Sequence, residues 1–397
     1  MRHTDSLRSI LAKHVERGEL PGLVSAVSRR GEVQVDVVGH EADAADPMRR
    51  DTIFRIASMS KPVTAVAALS LVEEGRLHLD EPVERFLPEL ANRRVLARLD
   101  GPLDETVPAA RSITLRDLLT FRMGFGIVWG APDATPIQRA ANARKLGAFG
   151  PPRPQDPPAP DEWMRRFATL PLMYQPGERW AYHTGTEVLS VLLARASGQP
   201  LEALLRERIF EPLGMEDTSF SVPASKLDRL ATSYFAKDAF HPDDSGYELY
   251  DAAQGGQWSR PPAFPSGGGG LVSTADDFLA FGQMLLGRGA LGGTRILSAS
   301  SVDAMTSDHL TPEQKAISDV LPAGYWNDHG WGFGVAVVTA PDELTGTSGR
   351  YGWDGGLGTS WASDPTRELV AILMTQRAAF PPCSGVYRDF WRTVYGG

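Results

Sequence analysis

A chain of 397 residues, 42% hydrophobic and 22% charged, is long enough to bury a large core and to hold more than one layered unit. Its formal charge of −9, without a long basic run, argues against a nucleic-acid partner. A single cysteine, Cys383, rules out an intramolecular disulfide framework and fits a reducing compartment; the eight histidines lack HExxH-type spacing, so neither a metal nor a cofactor is expected.

At the N-terminus Leu7, Ile10, Leu11 and Val15 fall at helical spacing with charges between them, which predicts an amphipathic helix rather than a signal peptide. No apolar stretch approaches the eighteen residues of a membrane span, so no membrane partner is expected and the cytoplasm is the default compartment. GLVSAVS and EVQVDVV, joined through Arg29-Arg30-Gly31, predict an antiparallel hairpin. TIFRIAS reads as extended, and SKPVTAVAALSLVEEG as a helix closed by Gly75 in the C′ position. From about Arg76 to Pro262 the helical runs LRDLLTF, TEVLSVLLARAS and LEALLRERIF alternate with Pro- and Gly-rich connections, PPRPQDPPAPDEW being the most irregular. Strand patterns return in GGLVST, WGFGVAVVTA, SWASD and ELVAILMTQ, before a helix from about Gly385 to Val394. Since consecutive antiparallel strands usually pair, the expectation is an α+β fold. Residues 1–75 and 263–397 form an α/β domain around a central antiparallel sheet, and residues 76–262 form an inserted helical domain with long loops. Gly267 to Gly270, with no GK[ST] after them, read as a tight strand entry rather than a phosphate cradle, and Cys383 in PPCSGV reads as a small apolar residue.

The sharpest chemical feature is Ser58-Met59-Ser60-Lys61-Pro62. Pro62 lacks an N–H and cannot sit deep in a helix, which puts Ser58 at a helix N-terminus. Lys61, three residues on, lies one turn away on the same face, within reach of the Ser58 hydroxyl, and the free N–H groups there can meet an oxyanion. The competing reading is a plain N-cap serine with a solvated lysine. The apolar helix that follows favours a buried lysine, which needs a reason. To act as a base near neutrality, Lys61 must lose about three units of pKa, roughly 4 kcal/mol. Tyr182, in PGERWAYHTG just before a helix, is a second proton carrier whose pKa is expected to fall beside an ammonium; its alternative is a core aromatic with a satisfied hydroxyl. In Tyr351-Gly352-Trp353-Asp354-Gly355-Gly356 the glycines imply close backbone approach, either at an active-site strand edge or in a hairpin turn at Asp354-Gly355.

Together these segments resemble the serine β-lactamase and penicillin-binding-protein superfamily, most closely the family VIII carboxylesterases, which are similar to class C β-lactamases. The resemblance runs through FRIASMSKPVTAVAALSLVEEGRLHLDEPV, ITLRDLLTFRMGFG, PGERWAYHTGTEVLSVLLARASGQPL, FPSGGGGLVSTADD and GWDGGLGTSW, in that order and over nearly the whole chain. It implies a β-lactamase-like fold, Ser58 as acyl acceptor, Lys61 as its activating partner and Tyr182 as general base and proton shuttle. It further implies an oxyanion hole from the backbone N–H groups of Ser58 and Gly356. Trp353-Asp354-Gly355 occupies the place of the lysine-threonine-glycine strand motif, and Thr184 the place of an asparagine, so these four are the expected substrate-binding residues. Trp353 supplies no cation for a substrate carboxylate and Thr184 has fewer hydrogen-bonding options, and both changes point toward neutral esters. The expected activity is hydrolysis of small neutral, short-acyl esters through an acyl-enzyme on Ser58. An acyltransferase, an amide hydrolase or a weak β-lactamase on the same scaffold is the alternative, and a silent binding or sensor protein the alternative of another class.

Overall fold

In the computed structural model, residues 6–41, 46–128, 134–147, 151–238, 241–244, 246–342, 344–378 and 384–396 are described, so Cys383 lies outside the described residues. Helix α1 (Leu7–Glu16) is capped by Ser6, whose side chain accepts from the Ser9 N–H. It is followed by β1 (Gly22–Arg29) and β2 (Glu32–Gly39), paired antiparallel with Arg29 opposite Glu32. Arg30 and Gly31 both have positive φ, 51° and 84°, the turn geometry whose twist matches that of the strands it joins.

Five strands from the other end of the chain complete the sheet: β3 (His329–Trp331), β4 (Ala336–Val338), β5 (Tyr351–Gly355), β6 (Thr359–Asp364) and β7 (Leu369–Thr375). The order is β3-β4-β5-β6-β7-β1-β2, antiparallel throughout. Strand β7 is buried along its whole length because both faces of the sheet are covered. Leu369, Ala371 and Leu373 pack with Leu11 of α1 and with Phe390, Trp391 and Val394, while Val370, Ile372 and Met374 point into the main core. The period-2 alternation of a strand thus feeds two separate apolar layers.

The main core is built around α2 (Ser60–Glu73), in which every residue from Ser60 to Leu71 is buried. A mostly apolar helix buried all round has no solvent face to offer and belongs at the centre. Gly75, with φ +69°, closes it by bonding back to the Val72 carbonyl at 2.9 Å. The helix begins at Ser60 rather than at Ser58, with one 3₁₀ turn, Ala57–Met59, ahead of it. Pro62 has no N–H for the Ser58 carbonyl four residues back, so the chain can tighten there. On one side of α2 lies α3 (Thr184–Ser197); α4 (Ala275–Leu286) packs on the sheet, and α5 (Gly385–Gly396) lies beside α1.

Two strand patterns pair otherwise than expected. GGLVST supplies only Val272–Ser273, which pairs with Phe54–Arg55 and not with the central sheet. WGFGVAVVTA breaks into β3 and β4 at a turn closed by Gly332 N–H to the Val335 carbonyl, 2.9 Å. The middle of the chain carries short helices together with a small strand pair, Arg94–Leu96 with Thr106–Pro108. It also carries a three-stranded sheet in which Ser233–Ala236 lies between Tyr247–Asp251 and Arg377–Ala378. Among the described residues no helix is long and apolar enough to cross a membrane.

Candidate active site

Ser58 sits in the 3₁₀ turn that leads into α2, directly after Ala57, a non-glycine residue with φ +43°. Such a left-handed residue is strained and marks a sharp reversal held in place by its surroundings. The ties are visible on both sides: Ile56 N–H bonds the Leu271 carbonyl at 3.0 Å, and Leu271 N–H bonds the Ser60 hydroxyl at 3.1 Å. Ser60 is itself buried, with its hydroxyl donated to the Ala57 carbonyl at 2.7 Å. It therefore faces away from Lys61 and braces the turn from behind.

Lys61 is buried to 1% exposure, and its Nζ donates to Ser58 Oγ at 2.9 Å and to the Gly268 carbonyl at 2.5 Å. It stands 3.3 Å from His183 Nδ1 and 4.6 Å from the centre of the Tyr182 ring. Burial disfavours the ammonium and pulls the amine down from 10.5 to about 7, against the opposing pull of the Glu187 carboxylate. Lys61 can thus be neutral, and a base, near physiological pH.

Tyr182 and His183 immediately precede α3. Tyr182 accepts from Trp353 Nε1 at 2.7 Å, and Ser58 bears on its phenol. The expected fall in its pKa does not occur: burial pushes the phenol up, Asp354 adds to the rise, and the bonds from Ser58 and Trp353 only partly offset them. Since burial has brought Lys61 down to about 7, the ammonium that would have favoured a phenolate is itself only partly populated at neutral pH. A neutral Tyr182 is the state to reason from. Its ring packs among Phe121, Trp180, Trp331 and Trp353, with Trp353 at 5.6 Å and Trp180 at 5.3 Å between ring centres.

Trp353 comes from β5, and the residue after it points to the other face. The Asp354 carboxylate accepts from Ser360 Oγ at 2.6 Å and from the Tyr387 hydroxyl of α5 at 3.2 Å, so it is committed to the α5 side rather than to a substrate, contrary to expectation. Burial raises this carboxyl to about 6. Gly355 is the close approach that the glycines implied: a Cβ there would lie 2.3 Å from the Ile56 carbonyl oxygen. The contact brings the β5–β6 turn, with exposed Gly356, against the segment carrying Ser58. Thr184 is buried at the start of α3, and its hydroxyl has no hydrogen-bond partner among the described residues.

Sequence reasoning missed His183, Glu187, Ser266 and Gly268. His183 Nε2 lies 3.3 Å from Glu187 Oε1, which also accepts from Ser266 Oγ at 2.6 Å. The signal was present as a His and a Glu four residues apart, one turn of α3, beside the tyrosine. The glycine run turns tightly into Val272–Ser273, as read, and in addition delivers a carbonyl to Lys61; a Cβ on Gly268 would strike Glu187 Oε1 at 2.4 Å.

A family model described as beta-lactamase matches residues 7–390. The chain belongs to the beta-lactamase family. Protein Rv1367c of Mycobacterium tuberculosis is 40% identical over 379 residues, spanning 94% of this chain and 90% of that protein. Esterase EstB of Burkholderia gladioli is 31% identical over 391 residues, again 94% and 90%. Among solved structures, EstCE1, described as a hydrolase with promiscuous acyltransferase activity, is 25% identical with a TM-score of 0.76, over 98% of this chain and 97% of that one. The β-lactamase-like fold is therefore shared across nearly the whole chain, with relatives that include an esterase and a hydrolase described as having promiscuous acyltransferase activity.

Proposed function

We propose that the protein is a serine carboxylesterase that takes small neutral esters, transfers their acyl group to Ser58 and releases it to water. The observation that carries this reading is the 2.9 Å bond between Ser58 Oγ and a buried amine whose pKa burial brings to about 7. Lys61 takes the hydroxyl proton as Ser58 Oγ attacks the ester carbonyl carbon. The resulting oxyanion is met by the N–H groups of Ser58 and Gly356. The tetrahedral adduct collapses as the C–O bond to the alcohol breaks, and the leaving oxygen takes the Tyr182 phenolic proton. The proton held on Lys61 then restores the phenol. Accepting from Trp353 Nε1 leaves the Tyr182 hydroxyl free to turn its own proton toward the Ser58 side. A water repeats the sequence on the acyl-enzyme.

Trp353 also supports a preference for neutral substrates. A carboxylate beside the reacting ring of a penicillin gains about 1.5 to 3 kcal/mol from a charge-assisted bond to a cation, and an indole supplies no charge. The two arginines that could replace it are occupied: Arg350 pairs with Asp342 at 2.6 Å, and Arg377 holds Asp243, Ser384 and the carbonyls of Glu19 and Pro242. The experiment is a side-by-side assay of p-nitrophenyl butyrate and nitrocefin. The expected result is a kcat/KM for the ester at least about a hundredfold the higher; comparable values would overturn the ester reading. The description of EstCE1 favours acyl transfer as a second reading, tested by adding an alcohol and looking for the transferred ester.

A further inference from the structure

Behind the nucleophile lies a second buried charge that the reaction sequence above does not use. Glu187, on the first turn of α3, is 4% exposed, and its carboxylate is held by Ser266 Oγ at 2.6 Å and faces His183 Nε2 at 3.3 Å. The other nitrogen of that ring, Nδ1, is 3.3 Å from Lys61 Nζ. A line of contacts therefore runs from Ser58 Oγ through the amine and the imidazole to the carboxylate. Burial and Lys61 hold His183 well below its ordinary pKa, so the ring is neutral and carries one proton. Nδ1 toward Lys61 and Nε2 toward Glu187 each stand at 3.3 Å, and which of them carries the proton is set by the tautomer.

The backbone is bent to make this line. His183 has φ 81° and ψ −64°, and Thr184 N–H returns to the Tyr182 carbonyl at 3.2 Å, a γ-turn of the rare, strained hand. Strain of this kind persists where the surroundings over-determine it, commonly at functional sites. The far wall is as tight: a Cβ on Gly268 would lie 2.4 Å from Glu187 Oε1 and 3.3 Å from His183 Cε1. The second carboxylate oxygen, Oε2, has no hydrogen-bond partner among the described residues, and Glu187, His183 and Ser266 line a cavity of about 330 Å³ whose lining does not include Ser58.

We propose that Glu187, reaching Lys61 through the His183 imidazole, is a positioning residue that governs the protonation of Lys61 and hence the pH range in which Ser58 is activated. The proposal rests on the acyl-enzyme reading above. The groups facing Lys61 are few: Ser58 from its own end of α2, the Tyr182 phenol and the His183 imidazole from the entry to α3, Glu187 from α3, and the Gly268 carbonyl from the loop after Ser266. Asp354 of β5 acts on Tyr182, and its carboxylate is turned toward Ser360 and Tyr387. Glu187 is thus the carboxylate that bears on the amine, and it opposes burial by favouring the ammonium. Burial in turn lifts Glu187 to about 7, so the two groups titrate as a pair.

The sign follows. Removing the negative charge makes Lys61 easier to deprotonate, so the acid limb of Ser58 reactivity moves to lower pH. The test measures the rate of labelling by an activated phosphonate from pH 5 to 9, followed by intact mass, in the wild type, Glu187→Gln and Ser266→Ala. Glu187→Gln should lower the midpoint of the acid limb by about one pH unit. Ser266→Ala, which removes a bond favouring the carboxylate and leaves the less buried surface of the site otherwise intact, should move it the same way by less. Profiles that superimpose on the wild type, with rates reduced equally at every pH, would show a merely structural glutamate and overturn the proposal. So would a shift to higher pH. Absence of wild-type labelling at every pH would instead overturn the acyl-enzyme reading, and this proposal with it.

Discussion

Two groups bear on Ser58 that burial has moved in opposite senses: an amine drawn down to about 7, bonded to Ser58 Oγ, and a phenol pushed above its ordinary value. Only the neutral amine can take the serine proton. Below about pH 7 kcat/KM for an ester should therefore fall toward tenfold per pH unit, and a flat profile between pH 5 and 8 would remove Lys61 from the role of base. Lys61→Ala and Tyr182→Phe should each cost on the order of a hundredfold in kcat, and the double variant little more than the worse single one, because both act on one proton path; strict additivity would separate their roles. The pairing of Ser58 with Lys61 was legible because the two lie within one helical turn, whereas Tyr182, from its own segment, reads equally as a core aromatic and was singled out with the help of the resemblance. His183 and Glu187 were not legible, since His183 lies 122 residues from Lys61 in the chain and both reach it only once α3 has packed beside α2. The direction of the Tyr182 shift was misjudged for a related reason. A motif shows which charges are near but not how much water is excluded, and here desolvation is the largest cause.

At the scale of elements, the Ser58 turn is clamped between the loop before Val272 and the β5–β6 turn, and both clamps can be loosened singly. Ser60, which faces away from Lys61, holds the Leu271 N–H. Ser60→Ala would leave that buried donor unsatisfied and should destabilise the protein by about 1 to 3 kcal/mol, read as a lower Tm or urea midpoint; an unchanged midpoint would show that the turn is braced otherwise. Gly355→Ala would drive a methyl against the Ile56 carbonyl and should lower kcat far more than it raises KM, by displacing Gly356 from Ser58. Unaltered kinetics would argue against an oxyanion hole built there. The long strands were legible from apolar runs such as LVAILMT, and α2 from its helical pattern closed by Gly75. GGLVST misled because a short apolar run carries no mark of its partner, and Arg94–Leu96 and Thr106–Pro108 are too short to show a period at all.

At the scale of the molecule, a sheet drawn from both ends of the chain and a helical layer from its middle meet at one point, where Ser58, Lys61, Tyr182 and Trp353 converge from α2, the entry to α3 and β5. Membership of the beta-lactamase family fixes the scaffold but not the acyl acceptor, and relatives described as an esterase and as an acyl-transferring hydrolase share it. What all acyl-enzyme readings have in common is a covalent bond to Ser58, so that bond is the most direct test. Intact mass after treatment with an activated phosphonate should rise by one phosphonyl group in the wild type and not at all in Ser58→Ala, with the variant still folded by circular dichroism; a Ser58→Ala protein that gains the same mass would place the nucleophile elsewhere and contradict the account.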